Sequence, residues 1–170
     1  WLDSYGKRYC NEYWGPIEFR GRPALQMNRD AFYAIYDSKL TEYLAYSVPS
    51  HGSTYASEEQ ISSIKEELEA AIAAGAKGVE GHDLSATFTR YAANTIDELL
   101  DLICQDEKVK ANIKDSIQRY NELCAKKQDD DFGRDGGLMF PIEEGPFFCD
   151  VKPTDIGWMM CTCGGLVINE

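Results

Sequence analysis

Two short motifs fix where helices must begin in this chain. Ser57-Glu-Glu-Gln60 and Thr95-Ile-Asp-Glu98 each set a hydroxyl residue three positions before a Glu or Gln. In such a capping box the hydroxyl oxygen accepts an early helix N–H, and the Glu or Gln reaches back to the cap N–H. Behind Gln60, the spacing of Ile61, Ile64, Leu68 and Ile72 predicts a helix that Gly75 closes. Behind Thr95 a short helix runs through Ile103. A third helix, from about Lys108 to Lys126, presents Val109, Ile113, Ile117, Tyr120 and Leu123 as one apolar stripe.

Extended segments are interspersed with these helices. Ala31-Phe-Tyr-Ala-Ile-Tyr36 has the aromatic and β-branched content of a strand, ended by Asp37-Ser38, and Ala86-Thr-Phe-Thr-Arg-Tyr91 alternates as a strand does. Leu2 to Glu12 reads as a hairpin turning at Ser4-Tyr5-Gly6-Lys7. Glu18 to Pro23 reads as a loop carrying Arg20 and Arg22, and Ser47 to Tyr55 as a loop rich in Ser, Gly and Pro. Gly78 and Gly81 loosen the chain beyond the first helix. There is no regular strand–helix–strand alternation, which favours an α+β domain, a mixed sheet with helices, over a doubly wound parallel sheet. No Gly-x-Gly-x-x-Gly follows a strand, so the sequence holds no dinucleotide-binding turn.

The charge balance excludes whole classes of partner. Against 17 Lys and Arg stand 29 Asp and Glu, for a net charge of −12. A phosphate backbone would be repelled, which argues against nucleic acid. No apolar run reaches the roughly 20 residues of a membrane span. Asp129-Asp130-Asp131 reads as a solvated loop behind a helix, without the spaced acids and closing Glu of an EF-hand. Six cysteines are too scattered for a disulfide scaffold. Cys104 and Cys124 fall on apolar helical faces. Cys149, Cys161 and Cys163 are conceivable zinc ligands, but the usual Cys-x-x-Cys knuckles are missing, so no metal is expected. His51 and His82 have no partner at metal spacing.

Several blocks, in order, resemble one family. They are Gly6-Lys7-Arg8-Tyr9-Cys10-Asn11-Glu12, Ala31 to Asp37, Ala92-Ala-Asn-Thr-Ile-Asp-Glu-Leu99, and Ile117-Gln-Arg-Tyr-Asn-Glu-Leu123. Asp131-Phe-Gly-Arg134, Pro141-Ile142, Gly145-Pro-Phe-Phe148 and Thr162-Cys-Gly-Gly-Leu166 follow. Together they resemble the FAD-dependent flavoproteins related to soluble fumarate reductase, urocanate reductase and 3-ketosteroid dehydrogenase. The resemblance implies that residues 1–170 are a single capping, or substrate, domain with short flanking pieces of an FAD-binding domain, excised from a longer chain. It implies FAD in the full-length parent, none held by this piece alone, and hydride transfer between flavin and a substrate carbon–carbon bond while the cap excludes water. The partners implied are a small-molecule substrate and the remainder of the FAD domain. Such relatives occur in the bacterial periplasm or the cytoplasm.

The resemblance also places candidate site residues. Met160, Thr162, Cys163, Gly164 and Gly165 would lie near flavin and substrate, where small residues let backbone N–H groups reach an oxyanion; the plainer reading is a glycine-permitted bend. Glu12, Tyr36, Arg20 and Arg22 are the candidate catalytic groups, each with a structural alternative: hairpin closure for Glu12, sheet packing for Tyr36, a surface role for the arginines. Departures bear on the substrate. The His-His-Thr-Met stretch of fumarate reductases here reads Met160-Cys161-Thr162-Cys163, and no Arg follows Asp37 or Glu12 at the family position. Lys39 is a poor substitute as proton donor. A dicarboxylate needs cationic clamps, so fumarate is not the expected substrate. Trp158, Met159 and Met160 point to a more apolar pocket or to core packing. The alternative to an enzyme fragment is a non-enzymatic ligand- or protein-binding module of the same fold.

Overall fold

The computed structural model describes residues 1–12, 31–51, 57–82 and 87–153. Four strands form one sheet in the order β1-β4-β3-β2: β1 Ala31–Tyr36, β2 Val79–His82, β3 Thr87–Ala93 and β4 Phe147–Pro153. The α+β class stands. Each described pairing is antiparallel, with Ile35 and Tyr91 both opposite Cys149, and Arg90 opposite Asp150. The helices are α1 Leu40–His51, α2 Glu58–Ala74, α3 Ile96–Ile103 and α4 Glu107–Lys126.

Both capping boxes form as the sequence dictates. The Ser57 and Thr95 hydroxyls accept from the Gln60 and Glu98 amides, and both return bonds are present. Asp106 caps α4 in the same sense, accepting from the Lys108 and Val109 amides.

Strand alternation sorts side chains to the two faces of the sheet. Tyr33, Phe147 and Cys149 face α3 and α4, where they join Leu99, Leu100, Ile113 and Ile117 in the main core. Burying side chains such as Leu99 and Ile113 contributes about 1.5–3 kcal/mol each. The opposite face sets Ala92 and Phe148 against Leu68 and Ala71 of α2. Leu123, Cys124 and Met139 form a third cluster at the end of α4.

Four expectations need correction. The hairpin over Leu2–Glu12 reduces to a tight loop with single bridges from Leu2 to Arg8 and to Tyr33. Leu2 exchanges both backbone hydrogen bonds with Tyr33 of β1, while Tyr5 and Gly6 dock on α4 through carbonyls that accept from Asn112 and Ser116, so this segment divides its backbone groups between a strand and a helix. Helix α1, Leu40–His51, has no counterpart in the sequence reading, and its end occupies the stretch read as a loop rich in Ser, Gly and Pro. The glycine-spaced stretch after α2 is strand β2; pairing with β3 overrides the poor strand propensity of Gly81. The Asp129 side chain is fully buried, because Arg8 pairs with it.

Of the described cysteines, Cys10, Cys124 and Cys149 are buried, whereas Cys104 is the half-buried C-cap of α3. No group of three or more metal-binding side chains lies together among the described residues. No helix there is long and apolar enough to cross a membrane.

Candidate functional site

An ion-pair cluster joins the N-terminal segment to the turn behind α4. Arg8 forks onto Glu12, with Nε 2.7 Å from Oε1 and Nη2 2.8 Å from Oε2. The same guanidinium donates to Asp129, from Nη1 at 3.0 Å and from Nη2 at 2.8 Å. Arg134 approaches Glu12 from the other side, Nη1 to Oε2 at 3.2 Å, and donates from Nη2 to the Leu138 carbonyl at 2.8 Å. The Trp1 backbone nitrogen lies 3.1 Å from Glu12 Oε1. The rings of Tyr120 and Phe132 flank Arg8, their centroids 5.1 and 5.0 Å from its Cζ.

Local structure explains why these groups meet. The Asp129 carboxylate accepts from the backbone amides of Asp131, Phe132 and Arg134. Those bonds hold a turn in which Gly133 takes a left-handed φ of 69°. The turn carries Arg134 back to Glu12. One aspartate therefore shapes the loop, holds Arg8 and delivers Arg134.

The electrostatics follow. Burial opposes the charge on Glu12, but Arg8 and Arg134 outweigh it and hold its carboxyl well below the usual range. Burial likewise opposes the charge on Asp129, and Arg8 with the turn amides holds its pKa down. Glu12 is a persistent carboxylate with both oxygens engaged.

The cluster forms one end of a cavity of about 330 Å³. Leu40 and Leu44 of α1, Ile117 of α4, and Leu138 line the rest, beside Tyr43 and Phe140, which stack with centroids 4.2 Å apart and planes 8° from parallel. Asp37 also faces the cavity. It is buried and accepts from the amides of Lys39, Glu143 and Glu144.

Two candidates named from sequence, Glu12 and Tyr36, thus line one cavity. The Tyr36 hydroxyl is committed elsewhere: it donates to Asp150 Oδ1 at 2.8 Å, on the α2 face of the sheet. Burial and the neighbouring Asp150 push its pKa well up. Asp150 also receives Arg90, from Nε at 2.7 Å and Nη2 at 3.0 Å, and Arg90 reaches Glu67 at 2.7 Å. Lys39 pairs with Glu144 at the surface. Arg20, Arg22, Met160, Thr162, Cys163, Gly164 and Gly165 lie outside the described residues, as do Cys161 and the Trp158–Met159 stretch.

Sequence reasoning did not single out Arg8, Asp129 or Arg134 as site residues. The Arg8–Glu12 spacing was visible, but nothing in a periodicity links residue 8 to residue 129.

The described residues do not fit an FAD by themselves. A pyrophosphate needs donor N–H groups at a helix start or glycine turn, yet the first turns of α2, α3 and α4 are occupied by their own caps. The cavity presents carboxylates whose cations are already paired.

No protein-family model matches the chain. Vinyl phenol reductase of Lactiplantibacillus plantarum is 26% identical over 174 residues, covering 99% of this chain. The chain spans 31% of the length of that relative. Among solved structures, 3-ketosteroid-Δ4-(5α)-dehydrogenase from Rhodococcus jostii RHA1, in complex with 4-androstene-3,17-dione, aligns with a TM-score of 0.49 at 15% identity. That alignment covers 88% of this chain and 24% of the other. The resemblance drawn from the ordered blocks is thus met, over nearly the whole chain, by a protein named as a reductase.

Proposed function

We propose that this chain is the capping module of an FAD-dependent oxidoreductase, a reductase or dehydrogenase acting on a carbon–carbon bond of a small molecule. The observation that carries the reading is the similarity to vinyl phenol reductase, which covers 99% of the chain. The ordered blocks support the same reading. Flavin binding belongs to parts of the parent outside the described residues, so no step of the reaction is assigned to them. Their contribution is a rigid wall: the Arg8–Glu12–Asp129–Arg134 cluster fixes one end of the cavity, and the sheet behind it fixes the floor. Such a wall excludes water and orients a substrate.

The test is the full-length parent. Purified from its host, it should show the oxidised-flavin absorption bands and, with a chemical reductant, reduce a conjugated alkene. A colourless protein that recovers no activity when supplied with FAD overturns the reading. A saturable protein or ligand complex formed by such a colourless parent would favour the binding-module alternative instead.

A further inference from the structure

One wall of the cavity is a stretch of irregular chain. Leu138, Phe140, Pro141 and Ile142 line it, and residues 139–143 belong to no strand or helix. No ladder to a described strand holds this wall; side chains do. Arg134 donates to the Leu138 carbonyl, and Asp37 accepts from the amides of Glu143 and Glu144. Between these points Asn121 of α4 grips Ile142 twice. Its Nδ2 donates to the Ile142 carbonyl at 3.0 Å, and its Oδ1 accepts from the Ile142 amide at 2.9 Å. A carboxamide that does both stands in for one rung of a β-ladder. At Ile142 and Glu143 the chain borders the cavity and also an open groove lined by Gln118, Asn121 and Glu143. Packing gives the wall little support on that side, so the two bonds fix how far it stands from α4. Phe140, two residues before the clamp, carries the stack on Tyr43 of α1.

Resting on the oxidoreductase reading, we propose that Asn121 is a positioning residue: by holding Ile142 it sets the Phe140-Pro141-Ile142 wall, and with it the affinity for the substrate. It acts through Ile142, not on the reacting atoms. Losing the clamp loosens the cavity, which raises KM and leaves kcat nearly unchanged, the pattern of lost uniform binding. The charged groups around the clamp are Asp97 and Lys114, which pair with each other, and Glu122 and Glu143. Asn121→Asp tests the clamp at almost constant shape. A neutral carboxyl can donate to the Ile142 carbonyl and accept from its amide, as the carboxamide does; a carboxylate only accepts, and sets like charge against the carbonyl oxygen. The neighbouring carboxylates of Glu122 and Glu143 favour the neutral form.

The probe is 4-vinylphenol, its reduction by the full-length parent followed between about pH 8 and about pH 5.5, above the range in which Glu12 and Asp129 protonate. Asn121→Asp should have a KM at least about tenfold above wild type at the alkaline end and within about threefold at the acid end, with kcat within about twofold throughout. Asn121→Leu, which can form neither bond, should raise KM at both ends alike. Hydrogen exchange in the same parent, read by mass spectrometry, should be at least about tenfold faster over residues 138–144 in Asn121→Leu, with α2 unchanged. Unchanged exchange over 138–144 overturns the proposal, as does a KM of Asn121→Asp that shows no acid recovery relative to wild type, or a fall in kcat at constant KM. Either variant decides alone if the other fails to fold. Faster exchange over 138–144 without reduction of 4-vinylphenol supports the clamp and counts against the oxidoreductase reading, so the two fail separately.

Discussion

Asp129→Ala removes the group on which the candidate site is built. In the folded chain its side chain has no solvent exposure, and the Arg8 side chain only 8%. The substitution strips Arg8 of two charge-assisted bonds and leaves three turn amides without their acceptor. Breaking a buried pair by deleting one partner costs about 3–5 kcal/mol, and the upper half of that range is expected because the turn loses its organiser as well. Urea unfolding followed by far-UV circular dichroism measures this as a lower midpoint at unchanged slope. The partner substitution Arg8→Met should not add its full cost to Asp129→Ala, since the orphaned guanidinium is then gone; a coupling of at least about 1 kcal/mol is expected. The pH dependence has a definite sign. Asp129 and Glu12 both have depressed pKa values in the folded state. Their contribution is therefore whole above the ordinary carboxylate range and is lost as pH falls below about 4. Asp129→Ala should flatten that acid limb. A loss under about 1 kcal/mol, with the acid limb unchanged, would refute the claim that Asp129 organises the cluster.

Three further outcomes test the frame. Gly136→Ala would set a Cβ only 1.8 Å from the Lys127 carbonyl oxygen, a backbone atom that cannot swing aside; a loss of at least about 1–3 kcal/mol in urea unfolding is expected. Thr95→Ala removes the acceptor of the Glu98 amide and should cost about 1 kcal/mol in the same assay. Burial pushes the Cys124 thiol up to about 11 and also raises Cys149 well above the ordinary thiol range, so a thiol-specific dye at pH 8 should modify Cys104 well before either, and Cys149 only on unfolding.

The helix starts behind Ser57 and Thr95 were legible because a capping box is a local device: all its partners lie within four residues; the start of α1 at Leu40 carries no such box and was not. The stripe from Val109 to Leu123 was legible for the same reason, since one helix face repeats whatever it packs against. Strand β4 was not. Its central place depends on β1 and β3, more than fifty residues away, and the segment Phe147–Pro153 does not alternate cleanly. Strand β2 was hidden by Gly81, whose missing side chain makes room for the Phe88 ring of the neighbouring strand. The site was half legible. Glu12 and Tyr36 came from the family blocks, while Asp129 looked like one of three solvated acids. Its burial depends on Arg8, 121 residues earlier, and no spacing encodes that meeting.

Both networks make the same use of arginine. In a chain with many more acids than bases, Arg90 and Arg8 each fork onto a buried aspartate and reach a second carboxylate. Arg134 completes the second set, and Arg119 pairs with Asp131 at its margin. A guanidinium so engaged is a joint between segments, and its planar fork suits two carboxylates where a Lys would suit one. Arg90 ties β3 to β4 and α2; Arg8 ties the N-terminal segment to the turn behind α4. The described arginines are thereby committed to the frame.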